Sequence, residues 1–261
     1  MKRDRQSVNN RQAQMLSLIR ERQEIRVEEL AQLFNVSLMT VRRDLQALED
    51  RRLISRFYGG ATVDPRTAPS SIKDEVNLYR QLIARYAATL VHNGETIFIN
   101  GSNTALGLME FASERSFFAI TNNGNAVRFK YGPGISLTLL GGTLRGQSHI
   151  MTGDNTMRNL LMAHADKAFL GCAGISSDGE ILCGIPTELG INETMIAHAR
   201  EFYILADHTK VGKAGTYASC SLEKTGTVIT DELAPATVVA QLRALGMAVV
   251  QVRRTDYPNI V

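Results

Sequence analysis

The stretch Val36-Ser37-Leu38-Met39-Thr40-Val41-Arg42-Arg43-Asp44-Leu45-Gln46-Ala47-Leu48-Glu49 constrains this chain more than any other. Val41, Leu45 and Leu48 fall at i, i+4 and i+7, the spacing of one buried helical stripe. Ser37 stands just before that stripe and can accept a backbone N–H as a helix cap. Met39, Arg42, Arg43 and Gln46 collect on the opposite side. A second short amphipathic run, Val27-Glu28-Glu29-Leu30-Ala31-Gln32-Leu33-Phe34, lies upstream, and only Asn35 and Val36 separate it from Ser37. Two short helices joined by so tight a turn, the second carrying exposed arginines, describe a helix-turn-helix reader of DNA.

The side-chain chemistry agrees. An arginine fork matches the O6/N7 edge of guanine or a phosphate, a glutamine can pair with adenine, and an exposed methionine can touch a thymine methyl. A lone Arg-Arg pair is usually a solvated helix face. Here it comes with a preceding helix expected over Arg11–Arg22, whose Met15, Leu18 and Ile19 recur at helical spacing. It is followed by Arg51-Arg52-Leu53-Ile54-Ser55-Arg56-Phe57-Tyr58-Gly59-Gly60-Ala61-Thr62-Val63, whose β-prone runs predict a two-stranded wing. The Gly59-Gly60 pair lets that backbone bend or approach a partner closely. Arg51, Arg52 and Arg56 fall where a wing meets the phosphate backbone. The order of these elements points to double-stranded DNA, with Ser37, Met39, Thr40, Arg42, Arg43, Gln46 and Arg56 as candidate contacts.

Charge is distributed to match. Residues 1–66 hold 13 Lys+Arg against 9 Asp+Glu, and the remainder 16 against 17. A mildly basic head on a neutral body suits attraction to phosphates at the head. A hydrophobic fraction of 44% excludes general disorder. No apolar run approaches the roughly 18 residues of a membrane span. The charged start Met1-Lys2-Arg3-Asp4-Arg5-Gln6 precedes no apolar segment, unlike a secretory signal. Cys172, Cys183 and Cys220 lack metal-ligand spacing and fit buried thiols in a reducing cytoplasm. His92, His149, His164 and His198 are scattered. No metal, cofactor or catalytic residue is therefore assigned.

Asp64-Pro65-Arg66-Thr67-Ala68-Pro69-Ser70-Ser71 has two prolines, small polar residues and no periodicity, and reads as a linker. The expected division is a DNA-binding domain over 1–64, a linker over 65–72 and a second domain over 73–261. That domain opens with a helix over Ile72–His92, with Leu78, Leu82, Tyr86 and Leu90 along one face. Short apolar runs then read as strands: Ile97–Ile99, Phe118–Ile120, Leu137–Leu140, Ala168–Leu170, Phe202–Leu205, Val228–Ile229 and Met247–Val250. Helical patterns lie between several of them, at Thr156–His164, Glu193–Glu201 and Ala236–Leu245. The alternation predicts an α/β fold, a Rossmann-like, mostly parallel sheet covered by helices.

In such sheets ligands bind beyond the C-terminal strand ends. Asn100-Gly101-Ser102-Asn103-Thr104 follows the first strand and opens a helix, offering N–H groups and hydroxyls to a phosphate or carboxylate. Thr121-Asn122-Asn123-Gly124 and Gly141-Gly142-Thr143-Leu144-Arg145 follow the next two, and Asp207-His208-Thr209-Lys210 a later one. Taken singly, each loop reads equally well as a turn, and Lys210 as a solvated lysine. Together they make a small-molecule site of Asn100 to Thr104, Thr121, Asn122, Gly141, Gly142 and Lys210. Glu188, after Ile185-Pro186-Thr187, reads as an acid, an acceptor for sugar hydroxyls or a helix N-terminal carboxylate.

Over nearly its whole length the chain resembles the DeoR-type bacterial transcription regulators. The carriers are Val36 to Leu45 followed by Leu53 to Ala61, then Gly141-Gly142, Gly153, Gly174-Ile175 and Asp207-His208-Thr209-Lys210-Val211-Gly212. The resemblance implies a winged helix-turn-helix joined to a sensor related in fold to ribose-5-phosphate isomerase. It implies a repressor of a sugar or carbohydrate catabolism operon, relieved or modulated by a phosphorylated sugar. Self-association as a homo-oligomer through the second domain is expected to set the spacing of DNA half-sites. Asn100 to Thr104 and Lys210 then face the phosphate, and Thr121 and Asn122 line the pocket. The chain departs from the family pattern in having Asn100 where Asp is common, Asn103 for Thr or Ser, Thr209 for Ser, Val211 for an aromatic and Leu38 for a polar residue.

Two other readings compete. A sugar-phosphate isomerase or deaminase with an appended DNA-binding domain would need a poised carboxylate base. The loop Gly171-Cys172-Ala173-Gly174 has no acid, while Asp178 and Glu188 lie further along. A DNA-binding protein without a ligand would use its α/β domain for oligomerisation alone.

Overall fold

A computed structural model of the chain describes residues 11–12, 14–16, 18–19, 24–50, 54–57, 59–63, 70–146, 148–213, 215, 217–220 and 226–257. Two compact units divide it, Met1–Glu75 and Val76–Val261. The linker expected up to Pro69, and Arg51 and Arg52, lie outside the described residues.

In the first unit the described residues of 11–19 are helical. Strand β1 (Glu24–Arg26) leads into the helix Val27–Leu33, and the helix Leu38–Asp50 follows. Strands β2 (Ile54–Phe57) and β3 (Gly60–Val63) complete an antiparallel sheet of order β1-β3-β2. The two strands expected of the wing are β2 and β3, and β1, which was not expected, adds a third strand to their sheet. Ile25 lies opposite Ala61 and is buried. A three-residue strand with one apolar residue between two charged ones carries too short a pattern to read as a strand. Met15, Ile19, Ile25, Val27, Leu30, Val41, Leu45, Leu48, Ile54 and Ala61 form the core. Each large aliphatic member contributes about 1.5–3 kcal/mol by leaving water.

The second unit is built on a parallel sheet. Its strands are β4 (Thr96–Ile99), β5 (Phe117–Thr121), β6 (Ile135–Leu139), β9 (Ala165–Gly171), β12 (Ala199–Leu205), β14 (Thr227–Asp231) and β15 (Ala248–Val252). Their order is β15-β14-β12-β9-β4-β5-β6, and every adjacent pair is parallel. Each of the seven runs picked out by apolar content lies at one of these strands. One face is covered by the helix Ser70–Thr89 and the short turns Asn103–Leu106 and Leu108–Phe111. The other is covered by helices Asp154–Leu161, Pro186–Ala197 and Ala236–Ala244.

From β4 the chain steps outward through β5 and β6, then returns to the other side of β4 for β9, β12, β14 and β15. The winding direction reverses between β4 and β9, so the loops after these two strands splay apart and open a crevice.

Several details differ from expectation. The helix expected over Glu193–Glu201 runs Pro186–Ala197, with Pro186 supplying the preset φ of a first helical turn. Ala199 already begins β12, whose first residues are only partly covered or exposed and so carry no apolar signal. The buried stripe of the Ser70–Thr89 helix centres on Tyr79, Leu82, Ile83 and Ala87, while Leu78 and Tyr86 are half-buried. Two small additions frame the crevice: a hairpin of β7 (Thr143–Arg145) and β8 (Ile150–Thr152), and a sheet of β10 (Gly174–Ile175), β11 (Ile181–Cys183) and β13 (Tyr217–Cys220).

Candidate functional site

The tight turn before the second helix of the pair is made by Asn35 at φ 49, a left-handed conformation that asparagine tolerates better than most residues. Ser37 Oγ accepts the Thr40 amide at 3.2 Å and lies 2.9 Å from Thr40 Oγ1, closing the first turn. Val41, Leu45 and Leu48 are buried, so Leu38, Met39, Arg42, Arg43 and Gln46 face solvent. Met39 is 72% exposed and stands on the same solvent face as Arg42 and Arg43.

Asp44 belongs to the buried side of this helix. Its carboxylate accepts from Arg11 Nε at 2.7 Å and Gln12 Nε2 at 3.0 Å, fixing the N-terminal helical residues against the helix Leu38–Asp50. On the solvent side, Arg56 Nη1 donates to Gln46 Oε1, and its guanidinium lies 3.8 Å from the Glu49 carboxylate. Arg56 thus has part of its charge balanced, whereas among the described residues Arg42 and Arg43 have no ion-pair partner and present the stronger positive field.

A second site opens where β4 and β9 splay apart. It is a cavity of about 340 Å³ lined by Asn100 to Thr104 from the first loop and Gly171 to Ala173 from the second. Leu182 to Ile185, Glu188 and Asn192, together with Arg80, Ile150 and Lys210, complete the wall. Asn100 clamps the two loops together. Its Oδ1 accepts from Gly171 N at 3.0 Å and Ser102 N at 3.2 Å, and its Nδ2 donates to Gly171 O at 2.9 Å and Asn192 Oδ1 at 3.0 Å. Every donor and acceptor of that buried side chain is engaged. Gly171 has to be glycine, since a Cβ there would lie 2.1 Å from Ser102 Oγ. Ser102 Oγ caps the Asn103–Leu106 turn through the Ala105 amide at 3.3 Å. That turn is only four residues long, so its N–H groups, rather than a macrodipole, are what it offers an anion.

Lys210 Nζ reaches into this wall and donates to Cys172 O at 2.7 Å. The preceding Asp207 is almost fully buried and binds Arg80 Nε at 2.8 Å. Burial pushes the Asp207 carboxyl upward, but the Thr209 hydroxyl and the Arg80 guanidinium outweigh that and hold it below the usual range. Glu188 shows the opposite balance: burial raises its pKa against the pull of Arg145. Burial also raises both thiols of the wall, that of Cys172 to about 12 despite Lys210, and that of Cys183 by a smaller margin.

Residues 77–232 match the model of the DeoR C terminal sensor domain, and residues 11–67 that of the DeoR-like helix-turn-helix domain. The chain belongs to the DeoR family. It is a DNA-binding transcriptional regulator with a helix-turn-helix unit and a parallel-sheet α/β unit. It is 30% identical to the HTH-type transcriptional repressor CsqR of Escherichia coli strain K12, over 90% of this chain and 92% of that one. It is 28% identical to the lactose phosphotransferase system repressor of Staphylococcus epidermidis, over 84% and 90% of the two chains. Among solved structures, ribose 5-phosphate isomerase A from Methanocaldococcus jannaschii aligns at a TM-score of 0.36 and 19% identity, covering 52% and 54% of the two chains.

Within this DeoR-family chain the structure gathers Asn100, Gly101, Ser102, Asn103, Thr104 and Lys210 around one cavity. Thr121, Asn122, Gly141 and Gly142 are not part of its lining. Thr121 ends β5, one strand away from the crevice, and Asn122 follows it; both are buried, and Asn122 Nδ2 donates to Met151 O at 3.2 Å. Gly141 and Gly142 follow β6, two strands away. The carbonyl of Gly141 accepts from Thr156 Oγ1 at 2.6 Å, and Gly142, at φ 107, would place a Cβ 2.1 Å from that hydroxyl oxygen. These glycines serve helix–loop packing. Arg80, Cys172, Cys183 and Asn192 line the cavity without having been singled out for it. Three come from elements whose place around β4 and β9 no local pattern encodes, and Arg80 resembles any solvated helix cation. Among the described residues, no three or more His, Cys, Asp or Glu side chains gather in a way that could hold a metal ion.

Proposed function

We propose that this DeoR-family regulator represses an operon for the use of a sugar or related carbohydrate, and that a phosphorylated sugar in the β4–β9 cavity relieves or modulates its hold on operator DNA. One observation carries the ligand half of this reading: Lys210 and Arg80 border the same cavity as the Ser102–Thr104 turn, so cations, hydroxyls and N–H groups converge on one volume fit for an anionic head. The name of the Staphylococcus epidermidis relative, a repressor of a lactose phosphotransferase system, supports the operon class.

In this reading Arg42, Arg43, Met39 and Gln46 meet base edges in a major groove, while Ser37, Thr40 and Arg56 meet the backbone. Two or more copies associate through the sensor unit, and that association sets the half-site spacing. Ligand closing on Lys210 disturbs the Arg80–Asp207 pair, and the change passes along the Ser70–Thr89 helix. The domain division is a DNA-binding unit over 1–64, a linker over 65–72 and a sensor over 73–261. The protein works in the cytoplasm, in keeping with the absence, among the described residues, of a helix long and apolar enough to cross a membrane. It is a regulator and not an enzyme, and incubating it at high concentration with aldose and ketose phosphates gives no turnover.

The test is a mobility shift on the protein's own promoter region, with and without candidate sugar phosphates. Lys210→Ala retains operator affinity and loses the ligand response. A response equal to that of the unaltered protein refutes the cavity as the effector site.

A further inference from the structure

Three buried side-chain polar atoms among the described residues lack a hydrogen-bond partner: Asn122 Oδ1, Thr230 Oγ1 and Glu188 Oε1. Of these, only Glu188 lines the cavity. A buried carboxylate oxygen facing no donor is costly and rare in folded proteins, and calls for a donor from outside the chain, a water, an ion or a ligand. The groups around it are already engaged. Asn100 makes four hydrogen bonds, and Asn192 Nδ2 is turned toward Cys183 Sγ at 3.7 Å. Arg145, whose charge pulls on the Glu188 carboxyl, is exposed and donates to Thr187 Oγ1 at 3.0 Å instead. Lys210 is held at the Cys172 carbonyl and forms no ion pair with Glu188. The cavity therefore carries a cation and an unsatisfied carboxylate that do not neutralise one another.

We propose that Glu188 determines the specificity of this pocket, its Oε1 accepting an O–H or N–H from the carbon skeleton of a ligand whose phosphate lies at Lys210. The proposal rests on the sugar-phosphate reading above and narrows it. The ligand is a phosphate ester bearing hydroxyl or ammonium donors at its other end. A phosphorylated sugar acid is rejected, because its carboxylate would meet Glu188 with no proton between them. Removing the acceptor while keeping the volume, as in Glu188→Leu, takes away one hydrogen bond to a charged group and leaves the phosphate end intact.

The test is titration calorimetry on the full chain with a panel of hexose and pentose phosphates, glucosamine 6-phosphate, 6-phosphogluconate and inorganic phosphate. The unaltered protein binds at least one neutral or amino sugar phosphate about tenfold or more tightly than 6-phosphogluconate. Glu188→Leu weakens that ligand by about tenfold or more and leaves inorganic phosphate within twofold. Without ligand, Glu188→Leu melts no lower than the unaltered protein, since it removes an unpaired buried acceptor; a carboxylate needed only for folding would lower the melting temperature instead. Glu188→Gln, which keeps an acceptor oxygen but not the charge, retains a hydroxyl ligand and loses an ammonium ligand. Sugar-phosphate affinity in Glu188→Leu within twofold of the unaltered protein overturns the proposal. If the unaltered protein binds no member of the panel, the sugar-phosphate reading itself fails, whatever Glu188 does.

Discussion

Asn100→Asp replaces one NH2 group with an oxygen and reverses the hydrogen-bonding sense of the clamp under the pocket. The Gly171 amide can only donate, so the Asn100 atom 3.0 Å from it is fixed as oxygen, and the amide nitrogen must face Gly171 O at 2.9 Å and Asn192 Oδ1 at 3.0 Å. An aspartate oxygen in that place faces two acceptors. Two hydrogen bonds worth roughly 1 kcal/mol each are lost, and desolvated acceptors are left opposed to a carboxylate at a further cost of about 1–3 kcal/mol. Asn192 can turn over to donate, giving up its contact with Cys183, but Gly171 O has no such remedy. The expected loss is about 3–5 kcal/mol at pH 8, a large part of the roughly 5–15 kcal/mol that holds a typical domain together. The new carboxyl is buried and faces oxygens, so its folded pKa is raised above the unfolded value of about 4. A raised carboxyl pKa penalises folding fully above the folded pKa, and the penalty fades as pH falls through that value toward the unfolded one, where a protonated oxygen can donate to Gly171 O. Urea unfolding of variant and unaltered protein at pH 8 and pH 5 measures this directly, with equal m-values as the control on the unfolded state. The destabilisation at pH 5 should be smaller by about 1 kcal/mol or more. A variant within about 0.5 kcal/mol of the unaltered protein at both pH values would refute the clamp.

Three further outcomes follow from other parts of the molecule. Arg42→Ala combined with Arg43→Ala should lose specific operator binding with the fold intact by circular dichroism, each lost base contact costing about 1–3 kcal/mol; unimpaired binding would mean that another surface reads the DNA. Asp44→Ala leaves Arg11 and Gln12 without their acceptor and should cost about 2–4 kcal/mol in a thermal melt of the DNA-binding unit, toward the lower end of buried-pair losses because Arg11 is 17% exposed. The Cys172 thiol, pushed up to about 12, should react with iodoacetamide at pH 8 roughly a thousandfold more slowly than a free cysteine, as followed by peptide mass spectrometry.

The seven parallel strands were legible because each is a short apolar run in a chain where both faces of the sheet are buried. The reading helix was legible for a related reason: Val41, Leu45 and Leu48 repeat at helical spacing and Ser37 caps the start. Polar loops at the strand ends could likewise be recognised one by one. Their arrangement could not, because it depends on strand order. Nothing local distinguishes the loop after β4 from the loop after β5. Yet the first lines the cavity and the second is buried beside it, since the winding reverses between β4 and β9. Arg80 shows the same limit in a single residue. On its helix it reads as an ordinary solvated cation, and the carboxylate that gives it meaning, Asp207, lies 127 positions away. Once the strand order places Asp207 just beyond the end of β12, Arg80 borders the same cavity as Lys210, and a surface charge becomes part of the cavity wall. Periodicity thus reveals what is buried, but only the crossover pattern determines which exposed groups converge.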